Sequence, residues 1–208
     1  MALGPDLVGL GWAASFAHPG GNITGTTFFP FELVAKRLEL LKRVVPSLTR
    51  CGVLMLQGSP SNPLTMDAIG AVAKASNVEL LEIEITGKGY EDAFTAAGAF
   101  NGLLVGEAGQ LMGDAATIAS LANQRLIPTA GPPAFAASGA LIGYGVNFPE
   151  LWRRAGLFVD KILKGANPGD IPIERPTRFH TVVNLKTAAL LGLEIPPSVL
   201  AGADEVID

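Results

Sequence analysis

Short apolar runs alternate with helical patterns along the whole chain, and this alternation constrains the fold more than any other feature. Residues 52–57 (GVLMLQ), 102–105, 126–129, 141–146 and 179–183 are strand-like runs bounded by turn residues. Residues 78–85 (VELLEIEI) alternate Leu81, Ile83 and Ile85 with Glu82 and Glu84, which predicts a strand with one polar face near a sheet edge. Phe31, Val34, Leu38, Leu41 and Val45 recur at helical spacing and predict an amphipathic helix stopped by Pro46. A second helix is predicted from Asn62 as cap, with Pro63 in its first turn, to Ser76, with Asn77 as a left-handed stop. Further helices are expected over 90–100, 111–123, 132–137, 149–164, 185–191 and 196–200, and a terminal strand over 205–207. Strands and helices joined by short loops predict an α/β fold: right-handed βαβ units forming a parallel sheet with helices on both faces.

The 208 residues suffice for one large domain or two small ones. Charged residues make up 16%, below the roughly 25% of ordinary domains. With 15 basic and 19 acidic residues, and no basic cluster longer than a pair, nucleic-acid binding is not expected. No window supplies the roughly 18–20 uninterrupted apolar residues of a spanning helix, so the chain reads as soluble. The apolar segment Leu7–Ala17 follows Asp6 rather than a basic residue, so no signal peptide is expected in this chain. The single cysteine, Cys51, excludes an intrachain disulfide and reads as a small buried residue.

No catalytic constellation emerges. His18 and His180 have no second His or Cys at metal-ligand spacing, and no metal site or cofactor is expected. Gly9-Leu10-Gly11-Trp12-Ala13-Ala14 fits a loose dinucleotide pattern but lacks the strand that should precede it, so a close-packed helix is expected there. The carboxyl ends of parallel strands are the ligand edge of an open α/β sheet. Three predicted strands end there in Gln57-Gly58-Ser59, Glu107 and Gly131-Pro132-Pro133. These Gly-rich loops let a ligand approach closely, which makes Gln57, Ser59, Glu107 and Gly131 candidate binding residues.

A set of ordered motifs carries a resemblance. Residues 19–25 (PGGNITG) precede the helix bearing 36–42 (KRLELLK), and 160–166 (DKILKGA), 183–188 (VNLKTA), 195–198 (IPPS) and 203–207 (ADEVI) follow. Together they resemble the substrate-binding proteins of ABC importers, in the branch of tryptophan- and other amino-acid-binding lipoproteins. The resemblance covers the chain from about Asp6 to Asp208. It implies a two-lobed type I periplasmic binding fold, with a small-molecule solute in a cleft between lobes, an ABC permease as partner and a periplasmic or extracytoplasmic setting. It implies no catalysis. The remaining readings are a small Rossmann- or flavodoxin-like enzyme, and a truncated module with no ligand.

In that family the Pro-Gly-Gly-Asn segment follows a complete first lobe. The chain is therefore expected to hold the second lobe (23–146 and 175–208), with residues 1–22 and 147–174 as segments that belong to or border an absent first lobe. The resemblance adds Thr26, Thr27 and Phe28 after the first crossover, and Tyr144 and Asn147 at the second, as cleft-facing residues. Tyr144 has a rival reading as a packed hinge aromatic. The helix Pro149–Lys164 carries a broad apolar stripe (Leu151, Trp152, Ala155, Phe158, Val159, Ile162, Leu163). A homodimer or larger assembly through this helix and Leu7–Phe16 is expected.

Overall fold

The computed structural model describes residues 3–4, 6–28, 30–87 and 89–208, with residues 3, 4 and 30 described by their backbone alone. The chain divides into two compact units, one of residues 1–30 and 146–179, the other of residues 31–145 and 180–208. In the first, β1 (Leu3–Gly4) pairs in parallel with β2 (Thr26–Thr27), and Thr26 bridges Glu174. Residues 23–30 thus group with this unit rather than with the larger sheet. Backbone and hydroxyl bonds hold them there: Thr27 N–H donates to Glu174 O at 2.9 Å, and Thr24 Oγ1 donates to Ile171 O at 2.6 Å.

The second unit follows the predicted alternation. Its elements are α1 (Pro30–Val44), β3 (Arg50–Leu56), α2 (Asn62–Ala75), β4 (Glu79–Ile85), α3 (Tyr90–Ala96) and β5 (Gly102–Val105). Then come α4 (Gly109–Gly113), α5 (Ala115–Gln124), β6 (Thr129–Gly131), α6 (Pro133–Ala137) and β7 (Ile142–Gly145). The chain next runs through the first unit, where it forms α7 (Phe148–Leu163). It returns as β8 (His180–Asn184), α8 (Leu185–Leu190), α9 (Pro197–Leu200) and β9 (Glu205–Ile207). The seven strands lie in the order β4-β3-β5-β6-β7-β8-β9.

Side-chain alternation divides the apolar residues between two layers. Val53 and Leu104 face a core built with Val34, Leu38 and Leu41 of α1, Ile69 of α2 and Val199 of α9. Leu54, Leu103 and Val105 face another with Phe94 of α3, Ile118 of α5 and Phe135 of α6. Helices therefore cover both faces. As expected of a buried small residue, Cys51 is fully enclosed, and burial pushes its thiol up to about 12.

Four local expectations give way. β8 runs antiparallel to β7, with Gly145 opposite His180; a chain that leaves the sheet at one edge and rejoins at that edge must run back across it. Leu126 is exposed with φ +53 and belongs to a turn, so β6 begins only at Thr129. The helix expected over 111–123 breaks at Asp114 into α4 and α5. Around Gly9–Ala14 the chain makes a turn instead of a helix, with Trp12 and Ala13 N–H both donating to Leu7 O at 2.9 and 3.0 Å.

In the first unit Leu7, Ala13 and Ile173 are buried, with Val8, Phe16 and Ile23 packed against them. α7 buries Leu151 and Phe158 but leaves Trp152 60% and Leu163 81% exposed, so only one edge of its apolar stripe is covered. No helix among the described residues is long and apolar enough to cross a membrane.

Candidate functional site

The register of the second unit brings several candidates to one edge. Leu54 pairs with Val105, Leu104 with Ala130 and Gly131 with Gly143, all in parallel. Gln57, Ser59, Glu107, Gly131 and Tyr144 therefore all lie at the carboxyl ends of β3, β5, β6 and β7. Gln57 is exposed, and its side chain makes no hydrogen bond among the described residues. Its backbone N–H donates to Ile85 O at 2.9 Å, which anchors the turn. Ser59 Oγ accepts weakly from Ser61 N–H at 3.4 Å. Asn62, expected as the α2 cap, instead donates its amide to Leu56 O at 2.8 Å and to Glu84 Oε1 at 2.7 Å, pinning that loop to the sheet edge.

Gly131 has a different role from the expected ligand approach. A Cβ there would meet Phe135 Cγ at 2.8 Å. The space above this glycine belongs to the protein's own α6.

The centre of the edge is an arginine that sequence reasoning passed over. Arg37 is fully buried. Its Nε donates to Tyr144 O at 2.7 Å, its Nη1 to Val105 O at 3.1 Å and its Nη2 to Glu107 Oε1. One guanidinium thus ties the end of β5, the loop after it and the end of β7, spanning across β6 between them. The Glu107 side chain is only 4% exposed, and its Oε2 is buried with no hydrogen-bond partner among the described residues. In the sequence Arg37 is one half of a basic pair with Lys36, within the 36–42 motif. The missed signal is spacing: Arg37 lies three residues from Val34 and four from Leu41, on the buried stripe of α1. Tyr144 is half-buried and packs against the α1-side core. Burial raises its phenol, while Arg37 lowers it and Glu39 raises it.

The other four candidates, Thr26, Thr27, Phe28 and Asn147, lie in the first unit. Thr27 is fully buried, and its hydroxyl donates to Phe28 O at 3.4 Å. Phe28 meets Phe148 edge-on at 5.4 Å, and Phe148 in turn meets Trp152 at 6.0 Å. Asn147 Oδ1 accepts from Glu150 N–H at 3.1 Å and so caps α7. A cavity of about 580 Å³ in this unit is lined by Thr26, Asn147, Glu150, Arg154, Glu174 and Arg175 among others. Within it Arg154 clasps Glu174 through two bonds, the Nη2–Oε1 one at 2.8 Å, and Arg175 lies 4.0 Å over the Phe16 ring.

Among the described residues no group of three or more His, Cys, Asp or Glu could hold a metal ion. What the sheet edge offers is a recessed carboxylate, an exposed amide and a half-buried phenol, which suits recognition of a polar small molecule.

The chain is 26% identical over 192 residues to the tyrosine-binding protein of Clostridioides difficile (strain R20291), covering 91% of this chain and 55% of that protein. It therefore spans about half the length of that curated relative. A domain from Streptococcus pneumonia solved in complex with L-Trp superposes with a TM-score of 0.87 at 23% identity, covering 98% of this chain and 71% of that one. A ligand-free, open substrate-binding protein with adhesive properties from Clostridium difficile superposes with a TM-score of 0.68 at 25% identity, covering 98% and 68%. The model of the family described as ABC transporter substrate binding protein matches residues 1–207. That description favours the solute-binding reading over the Rossmann-like enzyme one. The chain belongs to the ABC transporter substrate binding protein family.

Proposed function

We propose that this chain is the solute-binding component of an ABC importer and takes an amino acid or a related aromatic acid at the carboxyl edge of its seven-stranded sheet. The family match over residues 1–207 carries the reading. Two of the relatives named above bind tyrosine or L-Trp, and the edge formed by Gln57, Ser59, Glu107 and Tyr144 supplies the polar groups such a ligand needs. The second unit acts as the second lobe of a two-lobed binding protein, and residues 1–30 and 146–179 border the first. An ABC permease receives the solute, and the protein works outside the cytoplasm. The experiment is a thermal-shift screen of the twenty amino acids and their aromatic analogues. A ligand at 100 times its Kd stabilises by about 2.7 kcal/mol, a readily seen rise in Tm. No rise with any of them defeats the reading.

We also propose self-association. Trp152, Val159 and Leu163 of α7 are all exposed, as is Trp12 elsewhere in the first unit. Large apolar side chains in such density favour burial against a second copy.

A further inference from the structure

We infer that Glu107 Oε2 is the acceptor for the amino group of the ligand and that Arg37 is its positioning residue; the inference rests on the amino-acid reading above. Glu107 sits in the loop between β5 and α4, at the edge where strand ends meet a ligand in open α/β sheets. Its two oxygens have different fates. Oε1 is taken by Arg37 Nη2, while Oε2 is buried and receives no hydrogen bond from any described residue.

A buried carboxylate oxygen without a donor is costly, and folded proteins seldom leave one so. An ionised carboxylate only accepts, so the missing partner must be a donor. A cationic N–H group fits best, because charge-assisted bonds are the strong ones. An ammonium brings up to three such donors, whereas a ligand carboxylate would be repelled.

Arg37 makes the arrangement selective. Its bonds to Val105 O and Tyr144 O at 3.1 and 2.7 Å fix the guanidinium to two strand ends, so Glu107 is held by a rigid fork. The Arg37–Glu107 pair is neutral in sum. An ammonium placed beside it adds one positive charge, which a zwitterionic ligand balances with its own carboxylate. The ligand class is thus a zwitterionic amino acid rather than a diamine or a simple carboxylic acid.

Isothermal titration of the whole chain tests this. The probes are L-tyrosine and L-tryptophan against the matching desamino acids, 3-(4-hydroxyphenyl)propanoate and 3-(indol-3-yl)propanoate. The wild type is expected to prefer the amino acid by roughly tenfold to 100-fold, the worth of one charge-assisted bond. Glu107→Gln is expected to reduce that ratio to about threefold or less, because it removes the charge that takes the ammonium, and Arg37→Lys, which keeps a cation beside Glu107 but not its fork, to reduce it less. A purely structural role would weaken both probes together and leave the ratio alone. Equal binding of both probes by the wild type, with an ordered water as the sole partner of Oε2, overturns this inference while the solute-binding reading stands. A chain that binds none of the four probes but another solute overturns it as well; one that binds no solute in the thermal screen overturns the function reading and this with it. If a variant fails to fold, the wild-type ratio alone decides.

Discussion

Arg37 and Glu107 form a buried ion pair: the guanidinium side chain is 0% exposed and the carboxylate 4%. The pair joins α1 to the loop after β5, 70 residues away in sequence. Removing one partner of such a pair leaves the other charge buried and unpaired, which costs about 3–5 kcal/mol. Arg37→Met should therefore lower the unfolding free energy read from urea melts by that amount. The double variant Arg37→Met/Glu107→Leu should recover much of the loss, because apolar replacement of a whole buried pair is often near neutral. A single variant as stable as wild type would show that the pair holds nothing.

Tyr90 and Asp114 link α3 to the break between α4 and α5. The buried Tyr90 hydroxyl donates to Asp114 Oδ2 at 2.7 Å. Burial first, and then the bond to Asp114, push the phenol up to about 12 from its ordinary 10. Folding therefore favours the neutral phenol. The associated stability is complete below pH 10 and is lost as pH rises from 10 through 12. Tyr90→Phe should cost about 1 kcal/mol at neutral pH and flatten the decline in that alkaline window. Urea melts of both proteins across the window check it, and identical slopes would refute the assignment.

Cys51 should be chemically silent in the folded protein. Its thiol lies fully buried in β3 and is held near 12, so almost no thiolate exists at neutral pH. Ellman's reagent at pH 8 should find no reactive thiol in native protein and one per chain, the single cysteine, after unfolding. Rapid native labelling would contradict the burial.

Two glycines should respond in opposite directions to the same substitution. A Cβ at Gly143 in β7 would lie 2.7 Å from Pro133 O and 2.8 Å from Pro133 Cα, both backbone atoms that cannot turn aside. Gly143→Ala should cost about 1–3 kcal/mol. Gly70, inside α2, has nothing within 4 Å of the same position. Gly70→Ala should stabilise by about 0.5–1 kcal/mol, the helix-propensity difference. Thermal melts of the two variants give the comparison directly.

The alternation of apolar runs and helical stripes was enough to read the sheet and its flanking helices, because each βαβ unit is written in contiguous residues. The direction of β8 was not legible. It depends on where the chain rejoins the sheet after 34 residues in the other unit, and no local pattern encodes that. The candidate positions at the sheet edge were legible in part for the same reason. Gln57, Ser59 and Glu107 stood out because each follows a strand directly. Arg37 did not, since its partners Val105, Glu107 and Tyr144 are brought to it by the fold alone. Gly131 was misread because a glycine at a strand end serves either a ligand or a covering helix, and only the position of Phe135 separates the two.

The proposed self-association makes the last prediction. α7 places Leu151 and Phe158 against its own unit, and leaves Trp152, Leu157, Val159 and Leu163 between 47% and 81% exposed. Trp152, Val159 and Leu163 recur at seven- and four-residue steps, which puts them along one side of the helix. Each such side chain gains about 1.5–3 kcal/mol on full burial, so a strip of them favours a partner over water. A second copy offers the same strip, and two strips related by a twofold axis meet as equals. Size-exclusion chromatography with light scattering at micromolar concentration should give a mass near twice 21.5 kDa. Trp152→Glu with Leu163→Glu should return it to the single-chain value while Tm stays within a few degrees, because both positions lie outside the core of the unit. A wild-type mass of one chain defeats the idea. So does a double variant that stays dimeric, since it would place the interface elsewhere.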